Sequence, residues 1–138
     1  MPSRPLHRLR AVLPPLVSVT LLANTPPAQS TPSDVVRAFY TACNDGLYSK
    51  AEKLATKESL DYLKSTFALA GGLKGYCDDI TEEGTLERLD VTEERVRGEG
   101  ATVAFVFRFK GGKSEPGNES LVKTAEGWRI QVLGQGGK

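Results

Sequence analysis

Histidine is almost absent from this 138-residue chain, whose single histidine is His7. The segment around His7 has the features of a removable leader. The rest of the chain therefore cannot form a Ser-His-Asp triad, a Cys-His pair or a histidine-ligated zinc site. It also has no histidine to act as a general base. This removes most of the common hydrolase mechanisms.

The start of the chain lacks acidic residues and carries three arginines in its first ten positions. An apolar run, AVLPPLVSVTLLA, follows at positions 11–23. Because a membrane-spanning helix needs about 20 apolar residues, this run with two prolines is too short to be one. The small residues Ala28 and Ser30 suit a signal peptidase. We predict that residues 1–30 are a removed signal peptide, a disordered basic arm being the alternative.

A signal peptide implies export, to the periplasm or outside the cell. No cysteine lies near the cleavage region, so we predict no lipid anchor. Three of the 18 Lys and Arg residues lie in residues 1–30, which leaves 15 against 17 Asp and Glu in residues 31–138. A chain with this slight negative charge has no basic stripe, so we predict no nucleic-acid binding. Its length suits one domain. We also predict no membrane span and no cofactor.

Cysteine is scarce too, since the chain has only Cys43 and Cys77. The sequence contains no C-x-x-C pair, and neither His nor Lys is adjacent to Cys43, which disfavours a redox or nucleophilic thiol. An even cysteine count in an exported chain is typical of disulfides. We therefore predict a Cys43–Cys77 disulfide.

Helical periodicity dominates the first half of residues 31–138. A helix start at residues 31–34 leads into a helix that ends at Asn44-Asp45-Gly46. The S-x-x-E box at Ser49 predicts a second short helix through about Ala55, and Thr56 suits the cap of a third that ends at Gly71-Gly72. Residues 71–84 are dense in glycine and acid, which predicts a loop.

Alternation of apolar and polar residues takes over after residue 84. The run ATVAFVFRFK at 101–110 sets Val103, Phe105, Phe107 and Phe109 on one face of a strand. We predict four strands, near residues 85–97, 101–110, 119–124 and 128–133, with a turn at 111–118. Helices followed by strands indicate an α+β domain with helices on one face of an antiparallel sheet.

Three segments resemble the nuclear transport factor 2-like superfamily, also called cystatin-like or SnoaL-like. They are FYTACNDGLYSKAEKLAT, GEGATVAFVF and LVKTAEGWRI, and the resemblance spans residues 33–133. More narrowly, the chain is similar to small exported bacterial domains of unknown function in this superfamily. The resemblance implies that residues 31–138 form one cone-shaped domain, with three N-terminal helices packed on a curved four-stranded antiparallel sheet.

The resemblance also allows the enzymatic members of this superfamily to be tested. Ketosteroid-isomerase-like proteins have an oxyanion-donating tyrosine five residues before an N-x-G helix end, and Phe39 stands there in this chain. A phenyl ring cannot donate a hydrogen bond. The run 101–110 contains no carboxylate, so neither a base nor a neutral acid can be assigned. We predict a non-catalytic domain. The alternative is an isomerase-like or SnoaL-like enzyme with displaced acid and base, in which Tyr40, one position after Phe39, would supply the hydroxyl.

Aromatic residues with polar tips are the candidate lining of a pocket between helix and sheet. They are Tyr40, Tyr62, Tyr76 and Trp128. We predict a small apolar ligand or an envelope protein as partner. A homodimer through the strand face that carries Ala104 and Val106 is a further prediction. We predict no metal site: the acids of the 71–84 segment lack the D-x-D-x-D-G calcium pattern, so a solvated acidic loop is favoured over a calcium site.

Overall fold

A computed structural model of the chain describes residues 30–132. Within these residues, four α-helices precede four strands, and two short 3₁₀ turns flank the last helix. The helices are α1 (Pro32–Asn44), α2 (Tyr48–Glu52), α3 (Lys57–Thr66) and α4 (Leu73–Ile80). The 3₁₀ turns are Ala68–Ala70 and Thr81–Glu83. The strands are β1 (Leu86–Arg97), β2 (Gly100–Phe109), β3 (Ser114–Thr124) and β4 (Gly127–Ile130).

The first helix begins and ends where the sequence indicates. Thr31 and Asp34 form a capping box in which each side chain accepts a hydrogen bond from the other's backbone N–H. Pro32 opens the helix, where its missing N–H costs nothing. After Asn44 the chain turns at Gly46, whose φ of 74° is the left-handed conformation that glycine adopts readily.

The glycine-rich segment after α3 is a helix, which corrects the predicted loop at residues 71–84. Gly71 and Gly72 both have positive φ and turn the chain sharply before α4 begins. Gly75 lies inside α4, where an added Cβ would be 2.5 Å from that of Ala70. Glycine at this position therefore serves close packing of α4 on the Ala68–Ala70 turn. Between residues 30 and 132 the chain thus forms four α-helices where three were predicted.

The neighbouring helices also differ in their bounds. The second begins at Tyr48, with no side-chain cap on its first turn, so the predicted capping box at Ser49 is wrong. Thr56 caps α3 as predicted, its side chain accepting from the N–H of Ser59. However, α3 ends at Thr66, and the next turn tightens into the 3₁₀ form.

The sheet is a curved antiparallel meander in the order β1-β2-β3-β4. Its inner face carries the four residues predicted from the alternation of β2, all buried, namely Val103, Phe105, Phe107 and Phe109. The predicted turn at 111–118 is too long, because β3 already begins at Ser114. Pro116 is tolerated there because β4 pairs only with residues 121–124, which leaves the first half of β3 without a partner on that side.

The fourth strand is short and is covered by the connection between α2 and α3. Ala55 forms a parallel bridge with Ile130. The N–H of Thr56 donates to the carbonyl of Ile130 at 3.0 Å, and the N–H of Ile130 donates to that of Leu54 at 2.8 Å. This pairing satisfies backbone groups that an edge strand would otherwise leave open.

The core lies between the inner face of the sheet and the four helices. Its fully buried large side chains include Phe39 and Val36 of α1, Leu63 of α3 and Phe109 of β2. None of the helices within residues 30–132 has the length and apolar character needed to cross a bilayer. The predicted signal peptide lies almost entirely outside the described residues.

Candidate functional site

Three polar side chains converge inside the core, each from a different element. Tyr40 comes from α1, Tyr76 from α4 and Glu119 from β3. The hydroxyl of Tyr40 donates to Oε2 of Glu119, and that of Tyr76 donates to the same oxygen at 3.3 Å. The two hydroxyl oxygens are 3.1 Å apart. We call these three residues the Tyr-Glu cluster.

Burial sets the electrostatics of the Tyr-Glu cluster. Glu119 is only 5% exposed, and this desolvation raises the pKa of its carboxyl to about 7, although the hydrogen bonds from both tyrosines act in the opposite direction. No cation within residues 30–132 forms an ion pair with Glu119. Burial and the adjacent Glu119 charge also hold the pKa values of Tyr40 and Tyr76 above their usual range.

Aromatic rings enclose the cluster. The Tyr40 ring packs edge-on against Phe39 and Phe107, with centroids 5.0 Å apart in both pairs, and lies 5.6 Å from Phe105. Phe105 in turn covers Gly117 of β3, where an added Cβ would be 2.4 Å from the ring. The space between α1 and the sheet is thus filled by rings around the carboxyl group of Glu119.

The predicted disulfide holds two members of the cluster together. Cys43 and Cys77 are bonded, with their Cα atoms 5.1 Å apart, which confirms the pairing inferred from the sequence. Cys43 lies one helical turn after Tyr40, and Cys77 directly follows Tyr76. The bond therefore ties α1 to α4 next to the two tyrosines that donate to Glu119.

The four aromatic residues predicted as pocket lining do not all meet. Tyr40 and Tyr76 come together in the cluster. Tyr62 is 37% exposed on α3. Trp128 is buried on β4, with the Nζ atom of Lys123 lying 5.8 Å from its ring centroid. A shared role of these four residues in ligand binding stays a prediction.

Glu119 is the residue that sequence reasoning missed. The expectation that no strand carboxylate can be assigned is corrected by its position on β3, opposite Val103 of β2. The signal that could have identified Glu119 was the alternation of faces along a strand. Glu119 is two residues before Leu121, a fully buried core residue, so both side chains point to the inner face. Because the predicted turn ran through residue 118, Glu119 was the first residue of the predicted strand. A charged residue at the end of a strand gives no reason to expect burial.

Two of the four acids of the 71–84 segment form ion pairs with lysines. Asp78 pairs with Lys74 one turn earlier at 2.9 Å, and Glu83 pairs with Lys113. Within residues 30–132, no three His, Cys, Asp or Glu side chains are grouped closely enough to hold a metal ion.

Two clefts of the described residues open on the surface rather than into the cone. One of about 830 Å³ lies between the α2–α3 connection and β4, and it is lined by charges of both signs. Another, of about 480 Å³, lies where β1 and β2 meet their turn. Neither is lined by a member of the Tyr-Glu cluster.

Residues 30–132 thus form an α+β cone with a filled interior, in which Glu119 is a buried acid. No family model matches the chain, and no curated protein sequence does. Among solved structures, a Campylobacter jejuni protein described as an NTF2-like transpeptidase is similar, with a TM-score of 0.50 and 13% identity over 75% of this chain and 99% of that chain. A SEC-C motif containing protein from Rhodopseudomonas palustris has a TM-score of 0.57 and 19% identity over 83% of this chain and 84% of its own.

The fold is therefore the nuclear transport factor 2-like fold, as the sequence resemblance implied. Ligand-binding and enzymatic domains both use it, so the fold by itself assigns no activity.

Proposed function

We propose that this chain is an exported, non-catalytic binding domain that recognises an envelope protein through its outer surface. One observation carries the proposal: the interior, where a ligand or substrate of such a cone would lie, is filled. Phe105 is 2% exposed and Tyr40 is 3% exposed, and the two rings pack on each other.

The polar groups of the interior support the same conclusion. The hydroxyls of Tyr40 and Tyr76 both donate to Glu119, so neither is free to donate to a ligand. The two surface clefts combine charged side chains with the apolar residues Ala55 and Val122 in one and Ala101 and Leu121 in the other, and such a mixed surface suits a protein partner better than an apolar small molecule. A filled interior therefore favours the protein partner among the two kinds that the sequence predicts.

Replacement of Phe105 by alanine tests whether the interior is filled. The folded wild-type protein is expected not to enhance the fluorescence of anilinonaphthalene sulfonate at pH 7. Phe105→Ala removes a buried ring and leaves a cavity, so saturable dye binding is expected to appear. Near-ultraviolet circular dichroism of Trp128 verifies that the variant remains folded.

Leu63→Ala is the matched control, because it deletes a buried side chain on α3. It is expected to lower stability without producing dye binding that apolar compounds can displace. Saturable binding of the dye to the wild-type protein, displaced by an apolar compound, would contradict the proposal and indicate an open cone.

An acid-base enzyme is a second candidate, favoured by a specific observation. Glu119 is a buried carboxyl group with a pKa of about 7, next to two hydroxyl donors, and such groups serve as general acids or bases. An isomerase-like or SnoaL-like enzyme with displaced acid and base, which is the alternative that the sequence left open, requires a residue of this kind. Catalysis needs substrate access to Glu119, which an opening of the interior would have to provide.

This second candidate has its own assay. A β,γ-unsaturated ketosteroid is incubated with the protein, and formation of the conjugated enone is followed by ultraviolet absorbance. An enzyme would show turnover that falls by about 100-fold or more in Glu119→Gln. Glu115→Gln, at an exposed position of the same strand, would keep it. Absence of turnover in the wild-type protein leaves the non-catalytic proposal in place.

A further inference from the structure

On the outer face of the sheet, the end next to the β1–β2 turn carries a row of four residues, two of which are arginines. Strand pairing places Arg97 opposite Gly100, Gly100 opposite Val122, and Val122 opposite Arg129. The adjacent residue Ala101 is buried, so this row points away from the core. Arginines thus stand at both ends of the row.

The neighbouring row adds hydroxyl groups on the same face. Arg95 is opposite Thr102, and Thr102 is opposite Ser120. These three residues line the cleft of about 480 Å³, together with Arg97 and Gly100. The buried residues Ala101 and Leu121 complete its lining. The lining of this cleft contains two arginines and no acidic residue.

Gly100 provides the floor of the cleft. Its φ lies outside the left-handed region, so its backbone does not require glycine. A Cβ at this position would meet nothing closer than the carbonyl oxygen of Arg97, at 3.8 Å, so packing does not require glycine either. Because a Cβ could be accommodated here, the effect of glycine is to leave the space between Arg97 and Ser120 open.

The charge of the cleft is only partly neutralised. Arg95 pairs with Glu93 at 2.5 Å. Within residues 30–132, Arg97 takes part in no ion pair. Arg129, at the far end of the row, donates to the carbonyl oxygen of Trp128 at 2.8 Å and faces the neighbouring cleft. The guanidinium group of Arg97 is therefore available to an external anion.

We propose that this cleft binds a small oxyanion, and specifically a phosphate group. A guanidinium group offers parallel N–H donors that match two oxygens of such a group, and the hydroxyls of Thr102 and Ser120 can donate to a third. We call the residues Arg95, Arg97, Gly100, Thr102 and Ser120 the anion cleft. It lies on the outer face, so it is independent of any chemistry at Glu119.

Titration of the full chain with inorganic phosphate tests the anion cleft. Amide resonances of Thr102 and Ser120 are followed by nuclear magnetic resonance at low ionic strength, with chloride at matched ionic strength as reference. Saturable shifts are expected with phosphate and not with chloride. Arg97→Gln is expected to weaken binding about tenfold or more, since one charge-assisted contact is lost. Gly100→Val is expected to abolish binding by filling the floor.

Arg88→Gln is the matched control. Arg88 is an exposed arginine of β1, the strand that carries Arg97. It pairs with Asp90 at 3.0 Å, and Asp90 still forms its ion pair with Arg108 when Arg88 is replaced. Its variant should bind phosphate as the wild-type protein does. Equal weakening in Arg88→Gln and Arg97→Gln would overturn the proposal, because it would indicate a general charge effect.

The phosphate group has two sources that a second arm separates. Sedimentation with vesicles of phosphatidylcholine, with and without phosphatidylglycerol, tests a lipid headgroup. Binding to the anionic vesicles that requires Arg97 assigns the cleft to a headgroup, and binding to inorganic phosphate alone assigns it to a free ligand. Linear, unsaturable shifts together with no Arg97-dependent vesicle binding would refute the anion cleft.

Discussion

Replacement of Glu119 by glutamine is expected to remove a loss of stability that the wild-type protein suffers between pH 4.5 and pH 7. The carboxyl group has an ordinary pKa of 4.5, and in the folded protein burial raises this pKa to about 7. A group whose pKa is higher in the folded state binds its proton more tightly there. Its contribution to stability is therefore fully present below pH 4.5 and is lost as the pH rises through 7.

The size of this effect follows from the same pKa values. One pKa unit corresponds to about 1.36 kcal/mol, so the free energy of unfolding should fall by on the order of 3 kcal/mol across this range. Glutamine carries no charge at either pH and keeps a carbonyl oxygen to accept from Tyr40 and Tyr76. The stability of the Glu119→Gln variant relative to the wild-type protein should therefore improve by that amount between pH 4.5 and pH 8.

Urea unfolding followed by the fluorescence of Trp128 gives the required free energies at each pH. Comparing the variant with the wild-type protein cancels most other titrating groups, and no histidine lies within residues 30–132 to titrate in the same range. Glu115→Gln, at an exposed position of β3, is the matched control and should leave the pH dependence of the wild-type protein intact. If the free energy of unfolding depends on pH in the same way for Glu119→Gln and the wild-type protein, the prediction is wrong, because the pKa of Glu119 would then be the same in the folded and unfolded states.

Tyr40→Phe separates the two influences on Glu119. Burial raises the pKa of the carboxyl, whereas the hydroxyl of Tyr40 lowers it by stabilising the charged form. Loss of this donor should move the pH of half-maximal stability loss above that of the wild-type protein. An unchanged or lower midpoint would indicate that water enters and replaces the hydroxyl.

The parts of the fold that sequence reasoning predicted are those with a strong local pattern. The inner face of β2 is an uninterrupted alternation from Val103 to Phe109, and α1 has a capping box at Thr31 and a stop signal at Gly46. In such segments the local preference and the tertiary contacts agree. The disulfide was predictable because only two cysteines exist to pair.

The missed parts depend on contacts between distant segments. Gly75 looks like a helix breaker in the sequence, yet it is the residue that lets α4 approach Ala70. Likewise, the predicted turn at 111–118 obscured the strand parity of Glu119, and the partners that bury it come from β2 and from two tyrosines on separate helices. Pattern reasoning assigns each residue to a face, but it does not identify the side chains that meet there.

Loss of the disulfide is expected to lower the stability of the domain by roughly 3.5 to 4 kcal/mol. The bond joins residues 34 positions apart, and the constraint that it places on the unfolded chain has about this value. This is a large share of the ~5–15 kcal/mol that holds a typical domain folded. The measurement is urea unfolding of Cys43→Ala/Cys77→Ala beside oxidised wild-type protein, both at pH 5.

The reduced wild-type protein is the control for side-chain volume, because it lacks the bond but keeps both buried sulfur atoms. Its stability should lie near that of the double variant, and a value near the oxidised protein would contradict the prediction. The bond also holds α1 to α4 beside Tyr40 and Tyr76. Its loss should let water reach Glu119, lower the pKa of that carboxyl toward 4.5, and reduce the fall in stability between pH 4.5 and pH 7. A double variant that retains the full pH dependence would indicate that the aromatic packing alone keeps the Tyr-Glu cluster dry.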